Sequence, residues 1–478
     1  MKTNKKILGL IGLIMVCALI SVSIVNYMNR PVIIDSKAED LEVTVYNTDL
    51  GVVKEYRQNF LDAGTNTVQY PGVASRIDPT SVKLRSVNGD IDVLEQNFQY
   101  DLVSRDKILQ KYIGKEITAY QTYGNNKEMI EGTLLSYNGD QIILKDKQGK
   151  IQIASISDLS LPELPEGLIT KPTLEWLVDS KQPMNHTLEL SYMTSGMSWK
   201  ADYVAVTDKD DKTMDLNGWV TVTNNAGTTF ENTALKLVAG DVNRVTPAAM
   251  PNAMYDAEMK MGAGSARQFT QEALYEYHMY DLQRKTTLRD NEEKQISLLS
   301  SNAVGIEKEY VYDDIQNWWW YGNQYSDTGE KKVDVMLNFQ NSEKNGLGIP
   351  LPKGTVRVFT KDSEGKLQFV GEDAIDHTPK DETIRLLTGQ AFDIVGERKQ
   401  MDFKMLSQWY EYEWEVTLRN HKNEDIVVTV IERTGGDWEI NTENYDHVKE
   451  SNNKIKWKVP VKANAESKLV YTIRYKKW

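Results

Sequence analysis

Residues 372–382 hold the best local constellation of reactive groups in the chain: Glu372, Asp373, Asp376, Asp381 and Glu382 around a single imidazole, His377. Hard carboxylate oxygens with one imidazole suit a divalent cation, and an acid beside a histidine suits proton transfer. Asp376, His377, Asp381 and Glu382 are the candidate metal ligands. The same stretch also contains Pro379, and Asp376, His377 and Thr378 can tie a proline-containing turn through side-chain to backbone hydrogen bonds. The turn is the favoured reading.

Other chemistries are weaker. The five histidines, His186, His278, His377, His421 and His447, are scattered singly, with no His-Glu-x-x-His and no cysteine beyond Cys17 to build a zinc site. Met250, Met254, Met259 and Met261 offer thioethers that suit Cu(I), but they sit in a stretch rich in Pro, Gly and Ala that reads as a plain loop. Ser-x-x-Lys occurs at Ser104, Ser363 and Ser451 without the companion elements of penicillin-interacting enzymes, so chance explains it. Neither a Gly-x-Ser-x-Gly elbow nor a phosphate-cradling loop occurs. Asp208, Asp210 and Asp211 lack the spacing of a calcium hand and read as a hairpin tip. No cofactor is expected.

Aromatic residues offer the sharpest binding idea. Trp318, Trp319, Trp320 and Tyr321 stand in a row within a segment rich in Asp, Asn and Gly. Neighbouring side chains of an extended strand alternate faces, so four rings in succession cannot all enter one core unless the chain is covered on both sides. Exposed rings suit sugar stacking, a lipid headgroup region or a protein hot spot; a packed plug between domains is the competing reading.

The elements that must position these residues have a period of two. Tyr412, Trp414, Val416 and Leu418 alternate with Glu411, Glu413 and Glu415; Ile455, Trp457 and Val459 alternate with lysines; Leu469, Tyr471, Ile473 and Tyr475 repeat the pattern. Residues 426–431 read as a strand buried on both sides, and residues 400–478 together as an antiparallel, immunoglobulin-like sandwich. An earlier β region starts at Leu41 and resumes at Leu188. Between its halves, a short helix over 105–112, capped by Ser104, precedes short, tightly turned strands, the pattern of a small Sm-like barrel.

Residues 7–25 are uncharged and mostly apolar, and they follow Lys2, Lys5 and Lys6. That length spans a bilayer, and the lysines hold its amino-terminal side in the cytoplasm. The expectation is a retained single-pass anchor with the bulk outside the cytoplasm; the alternative is a cleaved signal and a secreted or periplasmic product. The net charge of -13 disfavours nucleic acid, whose phosphates need lysine and arginine.

At residues 191–204 (SYMTSGMSWKADYV) and 235–245 (LKLVAGDVNRV) the chain resembles a bacterial family carrying a carboxy-terminal domain of unknown function, also found in mucoidy-inhibitor-like proteins. Ordered matches such as VTVYNTDLGVVKE, GLGIPLPKGTVRVF, GEDAIDHTPKDE and LRNHKNEDIVVTVIE extend the similarity over residues 41–478. The resemblance implies an exported, β-rich protein and supplies no catalytic residues. The methionine loop and the tryptophan run lie outside the matches.

The expected fold is mainly β: immunoglobulin-like sandwich domains, an inserted Sm-like barrel and one amino-terminal transmembrane helix. The expected division is 1–30 anchor or signal, 41–100 first part of an amino-terminal β domain, 101–161 barrel, 173–245 continuation, 246–266 methionine-rich loop, 267–399 β-rich region with long loops and 400–478 sandwich. The expected function is non-enzymatic interaction at the cell envelope, with the membrane, an envelope protein or a glycan as partner. The alternative is an envelope hydrolase or carbohydrate-active protein using the His377 region or the Trp318 loop.

Overall fold

Alternation of side chains builds the strands that dominate the chain. In Met197–Thr207, Met197, Trp199, Ala201, Tyr203 and Ala205 are buried and the intervening residues face outward. A computed structural model describes residues 31–34, 38–123, 126–139, 141–155, 158–240, 242–243, 269–313 and 329–477. They are mainly β, with several sheets and a single α-helix among the described residues. Residues 1–30, the methionine run and the tryptophan run fall outside this set. Among the described residues no helix is long and apolar enough to cross a membrane.

Two units share one strand plan. In the first, Asp40–Tyr46 pairs antiparallel with Gly51–Leu61, which pairs with Met184–Thr194. The chain then turns into Met197–Thr207, forms a hairpin with Thr213–Asn224, and crosses over in Phe230–Ala239 to lie parallel to Asp40–Tyr46. The second unit repeats these steps. Glu307–Asp313 pairs with Gly329–Gln340, which pairs with the first half of Thr383–Met405; the second half forms a hairpin with Trp409–Asn420; and Ile426–Arg433 crosses over parallel to Glu307–Asp313.

The equivalence extends to single residues. Each hairpin ends in a buried asparagine, Asn224 or Asn420. Asn224 lies opposite Met197 and Glu292, and six residues on, Phe230 meets Leu288. Asn420 lies opposite Ile394 and Ala465, and six residues on, Ile426 meets Val461. Asn224 Nδ2 donates to the carbonyls of Thr228, Leu288 and Arg289, and its Oδ1 accepts from Ala226 N. Asn420 does the same with Glu424, Val461 and Lys462, and with Lys422 N. An asparagine has two donors and one acceptor in a single plane, so it can close a strand-to-strand corner that no apolar residue could satisfy.

The units differ at one joint. In the first, Gly196 (φ +84°) breaks the chain between two sheets, and a Cβ there would lie 2.5 Å from Asn225 O. In the second, Thr383–Met405 runs unbroken through both layers, giving one nine-stranded sheet folded over a core that includes Trp414, Trp457 and Tyr471. The boundary expected at residue 400 therefore falls inside a strand. The first core, from Ile34 to Leu386, also holds the four-stranded sheet of Val32–Ile33, Gly64–Pro71, Thr173–Ser180 and Ile91–Gln99.

The inserted module has its own core. Helix Arg105–Tyr112 begins where Ser104 Oγ accepts from Lys107 N, and it packs Leu109 and Tyr112 against Ile117, Leu134, Ile142 and Leu144. The expected barrel does not close. Ile151–Ser155 and Asp158–Ser160 end the five-stranded order without pairing with each other, and the three-residue final strand spends its ladder on Thr118 to Tyr120. The host brings the module's two ends together: Val103 N donates to Ile169 O, and Ile169 N to Asp101 O. Replacing residues 104–167 by a short Gly/Ser linker should therefore leave the host's melting temperature within about 2 °C, a change below about 1 kcal/mol. A larger drop by calorimetry would show that the module supports the host.

Candidate interaction site

The second unit's hairpin carries its apolar face out of the core. Phe403 lies opposite Tyr412 and Met405 opposite Tyr410, while on the far side of the same strand Ile473 faces Tyr412 and Tyr475 faces Tyr410. Directly opposed residues share a face, so these side chains form one stripe. Its rings are in successive contact: Trp414 to Tyr412 at 6.5 Å, Tyr412 to Phe403 at 4.9 Å, Phe403 to Tyr410 at 6.2 Å and Tyr412 to Tyr475 at 6.1 Å. Exposure climbs along the stripe, from 2% at Trp414 to 42% at Phe403 and 67% at Met405. Leu406 adds exposed apolar surface at the tip, and Met401 adds it at the bulge between Gln400 and Asp402.

A buried ion pair fixes the base of the stripe. The Arg398 guanidinium lies 3.7 Å from the Trp414 ring centroid and donates to Glu432 Oε2 at 2.8 Å. Tyr471 OH donates to the same carboxylate oxygen at 2.6 Å and accepts from Arg398 Nη2 at 3.2 Å. Burial, more than the neighbouring charges, pushes the Tyr471 hydroxyl well above the ordinary tyrosine range. Toward the tip, Arg474 stacks on Trp409 and Lys477 on Tyr410.

The 372–382 stretch forms the turn rather than a ligand cluster. Lys353 N donates to His377 Nδ1, Thr378 Oγ1 donates to Asp376 O, and Leu351 and Thr378 exchange backbone bonds. The fully buried Asn341 donates to the carbonyls of Ile349 and Pro379, while the backbones of Asp381 and Glu382 bond to that of Asn341. Among the described residues no group of three or more His, Cys, Asp or Glu side chains is placed to hold a metal ion, so Asp376, His377, Asp381 and Glu382 do not converge as one. The physical reason is the backbone: neighbouring residues tied into a tight turn send their side chains in different directions. Trp318, Trp319, Trp320 and Tyr321 lie outside the described residues. The strands on either side of them are placed, with Asp313 bound by Arg433 and Gly329 opposite Arg398.

The remaining motifs have structural roles. Ser104 is a helix cap. Ser363 sits in a turn closed by Asp362, whose carboxylate accepts from Glu364 N and Lys366 N. His186 is buried between Ser86 Oγ and Ser180 Oγ. Sequence reasoning missed Arg398, Phe403, Met405 and Tyr410. Alternation of Phe403 and Met405 with Asp402 and Lys404 was the available signal.

Residues 188–476 match the family model for a domain of unknown function, DUF4139, which covers most of the chain, and the chain belongs to that family. The match begins inside the strand that precedes the first unit's hairpin and takes in the whole second unit, so the aromatic stripe lies within the family domain. No curated protein matches the chain.

Proposed function

We propose that this is an exported, membrane-tethered protein, akin to mucoidy-inhibitor-like proteins, that acts at the cell envelope by binding a protein partner and not by catalysis. The apolar, lysine-flanked run over residues 7–25 supports the tether. One observation carries the binding role: the aromatic stripe that starts in the second core and emerges at Phe403, Met405 and Tyr410. Aromatic residues and methionine are the side chains enriched where proteins meet, and rings already held by a rigid ladder lose little entropy on docking. Trp318, Trp319, Trp320 and Tyr321 are proposed to share the binding role on their chemistry alone, as four amphipathic rings in succession. The two units are read as immunoglobulin-like sandwiches and the inserted module as a structural spacer.

The test is cross-linking of the full chain in intact envelopes, with the wild type compared against the double variant Phe403→Ser, Tyr410→Ser. Both residues are partly exposed, so the melting temperature should fall by only a few degrees while a specific cross-linked protein band is lost. Retention of the band in the variant would refute the site. A cross-linked product containing glycan and no protein would replace a protein partner with a carbohydrate one.

A further inference from the structure

The second unit carries a charged groove on the side of its sheet that faces away from the core. In Ile426–Arg433 and Lys454–Val461, the core takes Val428, Val430, Ile455, Trp457 and Val459, so Thr429, Ile431, Lys456 and Lys458 project from the opposite face. That face continues across Glu307–Asp313 and Gly329–Gln340 through Glu307, Glu309 and Asn338 to Arg385. These side chains line a groove of about 250 Å³.

Most of its charges are paired with one another. Glu309 accepts from Asn338 Nδ2 at 2.9 Å, from Thr429 Oγ1 at 2.8 Å and from Arg385 Nη2 at 3.0 Å. Burial works to raise the Glu309 pKa, but these hydrogen bonds and the guanidinium outweigh it and hold the carboxyl below its ordinary value. Glu450 holds Lys454 at 2.8 Å and Lys456 at 3.3 Å. Two exposed charges in the lining, Glu307 and Lys458, have no opposite charge bound to them among the described residues. Directly across from Glu307, Asn338 Oδ1 is buried and accepts no hydrogen bond among the described residues.

The two uncompensated charges stand at opposite ends of the groove. Lys458 lies opposite Thr429, Thr429 lies opposite Val311, and Glu307 is four residues before Val311. With strands about 4.8 Å apart and about 3.3 Å per residue, their Cα atoms are roughly 16 Å apart. A lysine and a glutamate reaching toward each other close several ångströms of that, leaving about 10 Å, the length of three extended residues.

We infer that this groove binds a short free peptide by its two ends, the ammonium at Glu307 and Asn338 Oδ1 and the carboxylate at Lys458. An ammonium has donors enough for both acceptors, and an unpaired lysine suits a carboxylate. At a net charge of -13 the chain repels polyanions, whereas a zwitterion has no net charge to be repelled. Glu309 and Arg385, locked on each other, give the floor a fixed shape, so little order is lost on binding. No residue of the aromatic stripe lines the groove, so this binding is independent of the partner contact proposed above.

The probe is trialanine with free ends, titrated into the full chain by calorimetry, beside N-acetyl-trialanine and trialanine amide. Removing either end charge should weaken binding about tenfold or more, since each is a charge-assisted contact. Lys458→Gln should bring trialanine and its amide to equal affinity, and Glu307→Gln should do the same for trialanine and its acetylated form. Both residues are exposed, so neither change should move the melting temperature by more than about 2 °C. No binding at about 10 mM trialanine, equal binding of the three peptides by the wild type, or variants that keep the wild-type preference for free ends overturns the inference. Acetate binding as tightly as trialanine also overturns it, because the lysines then take an anion alone.

Discussion

Arg398→Met, with Glu432 left in place, is expected to lower the unfolding free energy by about 3–5 kcal/mol, because it strands a carboxylate in the second core. Both partners are 4% exposed, and Glu432 loses the guanidinium that it binds alongside the Tyr471 hydroxyl. The loss of the Arg398 contact on Trp414 adds to this. The double variant Arg398→Met, Glu432→Leu should recover most of the loss, since replacing both ions by apolar groups removes the desolvation cost together with the attraction. Urea denaturation of the wild type and the two variants checks this. A single-variant loss below about 1 kcal/mol would mean that water reaches the pair.

The second large effect is expected at the corner asparagines. Asn420→Ala removes the partner of three carbonyls and of Lys422 N at a site that is 1% exposed. With about 1–3 kcal/mol for each buried group left unsatisfied and some rescue by water, the expected loss is about 2–4 kcal/mol. Asn224→Ala should cost the same within about 1 kcal/mol, because its bonds are the same. Strongly unequal losses would show that the two corners are alike in geometry only.

Much of the β architecture was legible where one face of a strand is wet. Tyr412 to Leu418, Ile455 to Val459 and Leu469 to Tyr475 alternate in sequence as they do in space, and Ser104 announces the helix it caps. The parallel crossovers were not legible: strands Asp40–Tyr46 and Phe230–Ala239 are separated by nearly the whole first unit, and nothing local encodes the pairing. Neither was the strand through residue 400, because a reader of alternation meets a break at the Met401 bulge. Arg398 and Glu432 escaped notice because charged residues are read as solvated until the fold buries them. The 372–382 stretch shows the opposite case. Its acids and His377 looked like a site in sequence because they are close along the chain, whereas the backbone bonds to Asn341 and Leu351 that define the turn come from residues far from it.

The position of the first strand in each unit bears on how the molecule carries force. Asp40–Tyr46 lies between Phe230–Ala239 and Gly51–Leu61, bonded to both, and Glu307–Asp313 lies likewise between Ile426–Arg433 and Gly329–Gln340. A pull entering through residue 40 acts along the strand axis, so the bonds to both neighbours are sheared together and must yield nearly at once. A pull across the strand would peel them one at a time. A load entering at residue 40 along the strand would therefore meet the first unit in the direction it resists best, and the first unit would act as a mechanical clamp.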